Sequence, residues 1–463
     1  MRKSTSEFPK DFTWGAAAAA YQIEGAAREG GKGLSTWDML CRRPGKIWEG
    51  NTGDVACDHY HRWKQDIRLM RQVGLQAYRL SVSWPRVIPA GTGAVNTKGL
   101  DFYDRLVDGL LEAGIDPWVT LFHWDFPHEL YLRGGWLNRD SVQWFGDYTR
   151  VVVDRLSDRV AHWMTLNEPT CFIQLGLEAG VHAPGDKLGK HEVLTAAHHA
   201  LMAHGRSVQV IRAGARKRPV VGWAPCGNVG APIRDTPADI RAAHAFMADA
   251  TTLWGFTWWS DPIFFGRYPA DGLRHYGAQA PIVRPGDMEL IRQKIDFFGM
   301  NIYKATYVQA SRKKRYETVP YPLGCPRTNF QWEVTPSALY WGPRFIHERY
   351  RCPVVITENG LSSMDWVSLD GRVHDAMRID FMERYLSELR RATRDGVPVK
   401  GYFHWSILDN FEWAEGFKQR FGLIHVDYNS QKRTLKDSAR WYRRVIRTNG
   451  TCVNPKLRSV QFA

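Results

Sequence analysis

Eight short runs of β-branched and aromatic residues recur along the chain, at 12–18, 77–84, 118–124, 163–167, 220–225, 297–303, 354–358 and 401–405. Most are entered from a glycine or proline and end in polar or aromatic residues. Runs of this length and apolarity read as strands buried on both faces of a parallel sheet. Between them the apolar period changes. Over 99–114, Phe102, Tyr103, Leu106, Leu110 and Leu111 recur at helical spacing, Gly114 caps the run and Pro117 opens the next strand. The same pattern predicts helices over 63–74, 142–156 and 379–396, the last with Ile379, Met382, Leu386 and Leu389 on one face. Further helices are expected over 198–213, 240–254 and 435–448. Alternating strands and helices imply parallel strands joined by right-handed crossovers. Eight strands fit a closed (β/α)8 TIM barrel better than an open sheet. No GxGxxG opens a helix after a strand, so a dinucleotide fold has no support. No composition break marks a linker, and residues 1–463 read as a single domain. The long irregular pieces, 22–60, 169–190, 225–240, 304–352 and 359–374, all follow strand ends, which in a barrel belong to the catalytic face.

Two of the strands end on a carboxylate. Val354, Val355, Ile356 and Thr357 run straight into Glu358, and Asn359-Gly360 then turns the chain. His162 to Asn167 runs into Glu168, and Pro169 stops the ladder. The two acids lie 358 − 168 = 190 residues apart in sequence, yet strand tips of one barrel converge. Each alone is an ordinary surface glutamate or strand stop. Together they form the pair that glycosidic bond cleavage requires.

The chain has 463 residues and a formal net charge of +14. That charge permits an acidic partner, but the basic residues are scattered. Their clusters, 216–218 and 312–315, match no nucleic-acid module, so a solvated basic surface is expected and no nucleic-acid partner. The seven cysteines are odd in number and form no CxxC pair, which argues against a disulfide framework and for a reduced, cytoplasmic protein. Residues 1–9 carry basic side chains with no apolar stretch of signal-peptide length behind them. No apolar run is long enough to span a bilayer, so no membrane partner is expected. The 20 Trp, 18 Tyr and 21 Phe suit both a core and a sugar-binding wall. One run, Cys57-Asp58-His59-Tyr60-His61, mimics a metal site; it reads as helix capping plus surface residues, and its spacing matches no zinc pattern.

The motifs FTWG…AYQIEG at 12–25, YRLSVSWPRV at 78–87, LFHWDFP at 121–127, TLNEP at 165–169, DFFGMNIY at 296–303, ITENG at 356–360 and HWSILDNFEWAEGF at 404–417 resemble family 1 glycoside hydrolases, the β-glucosidase family. The resemblance runs from about Phe12 to Gly450. It implies that Glu358 is the nucleophile and Glu168 the general acid/base, with Arg79 and Tyr303 holding the nucleophile. It implies sugar-hydroxyl ligands at Gln22, His123, Asn167, Glu412 and Trp413, a further substrate contact at Asn301, a stacking platform at Trp405 and an aglycone contact at Trp332. Read alone, His123 and Trp124 fit a structural role and Trp413 fits packing. Departures from the family pattern fall at Ala17 to Ala20, Leu80, Phe122 and Ile302, all small or apolar neighbours of retained polar residues.

The expectation is a retaining β-glycosidase that hydrolyses terminal non-reducing β-D-glucosyl residues of a small β-glycoside or oligosaccharide, with no cofactor and no metal. The alternatives are a β-galactosidase or β-fucosidase of the same family and a non-catalytic sugar-binding barrel. The sequence leaves the oligomeric state open.

Overall fold

Barrel closure begins with strand β1, Thr13–Ala17. Strands β2 (Ala77–Ser81), β3 (Asp116–Phe122), β4 (His162–Asn167), β5 (Val220–Ala224), β6 (Phe297–Asn301), β7 (Val354–Asn359) and β8 (Val399–Trp405) follow. The computed structural model describes residues 7–454. The parallel strands pair in sequence order around a closed ring, and β8 pairs back to β1 with Thr13 opposite Gly401 and Ala17 opposite Trp405. All eight strands expected from the apolar runs are present. Residues 1–6, part of the N-terminal stretch read for a signal, and residues 455–463 lie outside the described residues.

The core has two parts. Ala17, Ala77, Trp118, Met164, Ala224, Phe297, Val355 and Phe403, one from each strand, fill the barrel interior. A larger shell packs the outer strand faces against helices including His59–Val73, Thr97–Glu112, Ser141–Leu156, Lys190–Gly214 and Ala376–Arg394. The last helix among the described residues is Asp437–Arg447. No helix among the described residues is long and apolar enough to cross a membrane.

Three expectations need correction. The helix expected over 240–254 ends early, as Pro237–Met247, and the next helix, Phe256–Phe265, begins only beyond the expected range. The Asp249 carboxylate accepts bonds from the backbone N–H and hydroxyl of Thr251 at 2.9 and 2.7 Å, a local turn that competes with the helical ladder. The stretch 304–352, expected to be irregular, contains helix Ala338–Tyr350, hidden by Pro343 within it. The run 57–61 is only partly a surface. It does open a helix and His61 is exposed, but Cys57 and His59 are buried.

That buried corner joins both ends of the chain. His59 Nδ1 lies 2.7 Å from Asp66, and Arg433 donates to the other Asp66 oxygen at 2.9 Å and to the Cys57 carbonyl. Asp66 and Arg433 are fully desolvated. Removing one partner strands the other charge, a loss of about 3–5 kcal/mol. Arg433→Met is therefore expected to lower the free energy of unfolding by that amount, read as a lower urea midpoint at unchanged m-value; an unchanged midpoint would show that the corner carries no stability.

Candidate active site

Both strands break register just before their carboxylates, and the breaks re-aim Glu358 in one strand and Asn167, the neighbour of Glu168, in the other. Val355 points into the barrel, so a strict period of two would send Thr357 inward and Glu358 out to the helices. The pairing of β7 with β6 shifts between Ile356 and Glu358, and Glu358 turns inward. In β4, Thr165 bonds His204 of the surrounding helix at 2.6 Å, and the same parity would carry Asn167 outward. The β4–β5 register shifts between Met164 and Asn167, and Asn167 meets Arg79 inside. Such irregularities re-aim side chains next to active sites.

Arg79, on β2 and 1% exposed, is the centre of the network. Its guanidinium ion-pairs with Glu358 Oε1 and donates to Asn167 Oδ1 at 2.6 Å, to the Thr357 carbonyl at 3.2 Å and to Thr120 Oγ1 at 3.2 Å. The Tyr303 hydroxyl donates to Glu358 Oε2 at 2.8 Å. Asn301 accepts from Thr357 Oγ1 at 2.7 Å, which fixes its amide, and its nitrogen donates to Asn167 Oδ1 at 3.0 Å and Glu168 Oε1 at 2.8 Å. Cys171 Sγ donates to Glu168 Oε2 at 3.3 Å. Glu168 thus has only neutral donors, whereas Glu358 has a cation.

That difference sorts the protons. Burial raises the Glu168 carboxyl to about 8, helped by the charge of Glu358 and opposed by the Asn301 and Cys171 donors. Burial also raises Glu358, against the opposing pull of Arg79 and Tyr303. The pair titrates as a unit; its first proton leaves from Glu358, where the guanidinium stabilises the anion. Glu412 is likewise pushed up to about 8, by burial and by the charges of Glu358 and Glu168, against a hydrogen bond from Gln22. His123 is held well below its usual range by burial and Arg79. It is neutral, and its Nε2 accepts from the Asn167 amide at 3.0 Å.

The cavity holds about 570 Å³, within the range for a small-molecule site. Of the residues expected at the site, His123, Glu168, Asn301, Tyr303, Trp332, Glu358, Trp405, Glu412 and Trp413 line it. Arg79, Asn167 and Gln22 stand fully buried behind that lining. Gln22 donates to Asn410 Oδ1, the Phe411 carbonyl and Glu412 at 3.0, 2.8 and 3.3 Å, and its side-chain amide oxygen Oε1 has no protein partner among the described residues. The walls are aromatic. Trp124 packs on Trp413 with ring centres 4.5 Å apart, His123 stacks toward Trp405 at 5.8 Å, and Trp332 stacks on Phe330 at 4.5 Å. Lys418 is exposed and pairs with Glu415, as its place beside Phe417 suggests. Cys171, Cys226, Asn228, Trp254, Phe330 and Phe421 also line the cavity and were missed. Cys171, Cys226 and Asn228 each follow within four residues of a β4 or β5 tip, a position that marks them for the catalytic face.

A parallel barrel with two coupled, buried carboxylates at its strand tips and an aromatic cavity between them is the architecture of a glycoside-cleaving enzyme. The family profile described as "Glycosyl hydrolase family 1" matches residues 4–451, and the chain belongs to that family. It is 45% identical to the 1,4-beta-D-glucan glucohydrolase of Thermotoga neapolitana, over 96% of this chain and 99% of that one. It is 41% identical to a bifunctional beta-D-glucosidase/beta-D-fucosidase of Bifidobacterium breve, over 96% and 98% of the two chains. The fold superposes with a TM-score of 0.89 on a beta-glucosidase from Thermotoga maritima in complex with glucoimidazole, at 44% identity, covering 96% of this chain and 100% of that one. The protein is an enzyme, a glycosidase acting on glycosides.

The coupling between the two acids is measurable. Glu358→Gln removes a neighbouring negative charge, so Glu168 is expected to titrate at lower pH than in the wild type. Carboxyl carbon shifts followed by NMR against pH read this directly; an identical Glu168 midpoint in both proteins would deny the coupling.

Proposed function

We propose that the chain is a β-glucosidase that releases terminal glucose from small β-glucosides and oligosaccharides with retention, through a glycosyl–enzyme ester at Glu358. The observation that carries this reading is the unequal company of the two acids: a guanidinium and a phenol at Glu358, neutral donors at Glu168. Glu358, ionised by Arg79, attacks the anomeric carbon. Glu168, kept protonated by burial, gives its proton to the departing oxygen and then, as the carboxylate, takes one from water. Asn167 is held by Arg79, Asn301 and His123, and so is rigid where the sugar's 2-hydroxyl would lie. The unpaired Gln22 Oε1 and Glu412 offer acceptors to further hydroxyls, and the Trp405 face offers a stacking surface for the sugar's apolar side. Trp332, beside Tyr303 and Phe330, is assigned to the aglycone.

A second reading has one observation in its favour. The Bifidobacterium breve relative is named for both glucosidase and fucosidase activity, so fucoside turnover by the same cavity accompanies the main proposal. We place the protein in the cytoplasm, since all seven cysteines are free, and propose that residues 1–463 act as one catalytic domain.

Stereochemistry and two variants test the roles. Proton NMR of the released glucose is expected to show the β-anomer first; the α-anomer first would reject retention. Glu358→Gly is expected to lose turnover and to yield the α-glycosyl azide when azide is supplied. Glu168→Ala is expected to keep the first step for substrates with good leaving groups, which need no proton, and to yield the β-azide. Identical azide products from the two variants would overturn the assignment.

The 6-position of the sugar gives a sharper discrimination. A phosphate there requires donors and positive charge. The strand-eight loop offers Glu412 instead, and Lys418 is exposed, outside the cavity lining and paired with Glu415. Glu412 is held partly protonated by burial and its acidic neighbours and repels a phosphate only through its ionised fraction, but ionised Glu358 shares the same cavity. Like charges in a poorly solvated pocket oppose each other by several kcal/mol, orders of magnitude in rate. Comparison of kcat/KM for p-nitrophenyl β-glucoside and its 6-phosphate is expected to favour the neutral sugar overwhelmingly. A preference for the phosphate would sink the role given to Glu412.

A further inference from the structure

Two thiols meet at the cavity wall beside Glu168. Cys171 Sγ lies 3.7 Å from Cys226 Sγ and 3.3 Å from Glu168 Oε2. Together the three donor atoms lie within 4.8 Å of one another, and among the described residues no other group of His, Cys, Asp and Glu brings three donors so close. Both cysteines line the open cavity, so an ion in solution reaches them. The hydrolytic steps use neither thiol.

The spacing suits a tetrahedral cation. Zinc–sulfur bonds of about 2.3 Å set two thiolates about 3.8 Å apart, and a zinc–oxygen bond of about 2.1 Å sets the carboxylate oxygen about 3.6 Å from each sulfur. The separations of 3.7 Å between the sulfurs and 3.3 Å from Cys171 to Glu168 lie close to these values, and the third, from Glu168 to Cys226, lies within 4.8 Å. Two sulfurs and one oxygen select a thiophilic ion over magnesium or calcium. The fourth position faces the cavity, where water completes the shell. A disulfide is the rival use of two close thiols. Its bond is about 2.05 Å, and both cysteines here are free.

We propose that Glu168, Cys171 and Cys226 form a binding site for a thiophilic divalent cation of the Zn2+ type, and that its occupancy reversibly blocks hydrolysis. Binding exchanges three protons, two from the thiols and one from the Glu168 carboxyl, all released to solvent, for two metal–sulfur bonds and one metal–oxygen bond. No atom changes oxidation state. A carboxylate bound to a cation has no proton to give to the leaving group, so this inhibition rests on the acid/base role proposed for Glu168.

The test uses the full-length, fully reduced protein and two probes. Cd2+ is titrated while its thiolate charge-transfer absorption is recorded, and Zn2+ is titrated while hydrolysis of an aryl β-glucoside is recorded. The absorption is expected to saturate at one equivalent. Zn2+ is expected to stop hydrolysis, and EDTA to restore it. In Cys226→Ser the absorption is expected to fall away, and half-inhibition to need at least about 100-fold more Zn2+, beyond the roughly 10–100-fold that loss of an outer-shell partner costs. Each variant is compared with itself without metal. Cys325→Ser, outside the cavity lining, is expected to retain both responses. Absence of the absorption in the wild type, or equal Zn2+ sensitivity in Cys226→Ser, would overturn the site. Stoichiometric binding with undiminished hydrolysis would overturn the blockade. The role of Glu168 is read separately, without metal: if Glu168→Ala treats good and poor leaving groups alike, the acid/base assignment fails, and the Cd2+ titration still reports whether the site exists.

Discussion

Two carboxylates share one poorly solvated cavity and cannot both be charged without support, and a single guanidinium in contact with one of them decides which is. Arg79 does not touch Glu168. It binds Glu358, and through Asn167 and Asn301 it is connected to Glu168 only by neutral amides. Each amide has its orientation set by another partner, His123 for Asn167 and Thr357 for Asn301. The network therefore contains a single cation, Arg79, paired with Glu358, and the asymmetry of the two acids is built into its wiring. Replacement of any member would alter both acids, because each holds its neighbour's geometry.

The barrel tolerates irregular backbone to achieve this. Glu168, Trp124 and Trp413, all on the cavity wall, have φ of +43°, +77° and +52°. For non-glycine residues such conformations cost on the order of 1–3 kcal/mol each and persist only where the surroundings over-determine them. The surroundings do so here. The Glu168 amide donates to the Ala224 carbonyl at 2.8 Å, the Trp124 indole donates to the Asn167 carbonyl at 2.9 Å, and Trp413 is wedged among Tyr21, Trp37 and Trp124. The π-helical turn Cys171–Glu178, directly after Glu168, belongs to the same set of departures, which cluster at functional sites. It also brings Cys171 back onto the carboxylate it follows.

Much of this was legible in the sequence, for physical reasons that can be named. A strand buried on both faces leaves a continuous apolar run, and all eight such runs became barrel strands. A carboxylate ending such a run has no solvated reason to be there, and Glu168 and Glu358 are both on the cavity. The register breaks before them were not legible, because a one-residue shift leaves no mark in composition. The helix over 338–350 was hidden by Pro343, and the stop after Met247 by an aspartate–threonine turn that imitates helical polarity. Cys171 and Cys226 were invisible as a pair because proximity across two loops has no signature in spacing. His59 looked superficial because Arg433, which shares its partner Asp66 and closes the corner over it, comes from far along the chain.

Net charge was the least informative property. The chain carries +14 overall, yet Glu168, Glu358, Glu412 and Glu415 all line the cavity, with Lys304 as its one cationic lining residue and Arg79 behind it. Lys304 is itself paired with Glu333 at 2.9 Å. Surface charges farther than about 8 Å are largely screened at physiological salt, so a basic exterior does not set the field inside. What the cavity presents is a cluster of carboxyl groups that burial and mutual repulsion hold partly protonated. Such groups donate and accept hydrogen bonds with neutral hydroxyls and repel anions. The same chemistry favours sugars over acidic ligands and leaves one of the carboxylates available to a cation wherever two thiols stand beside it.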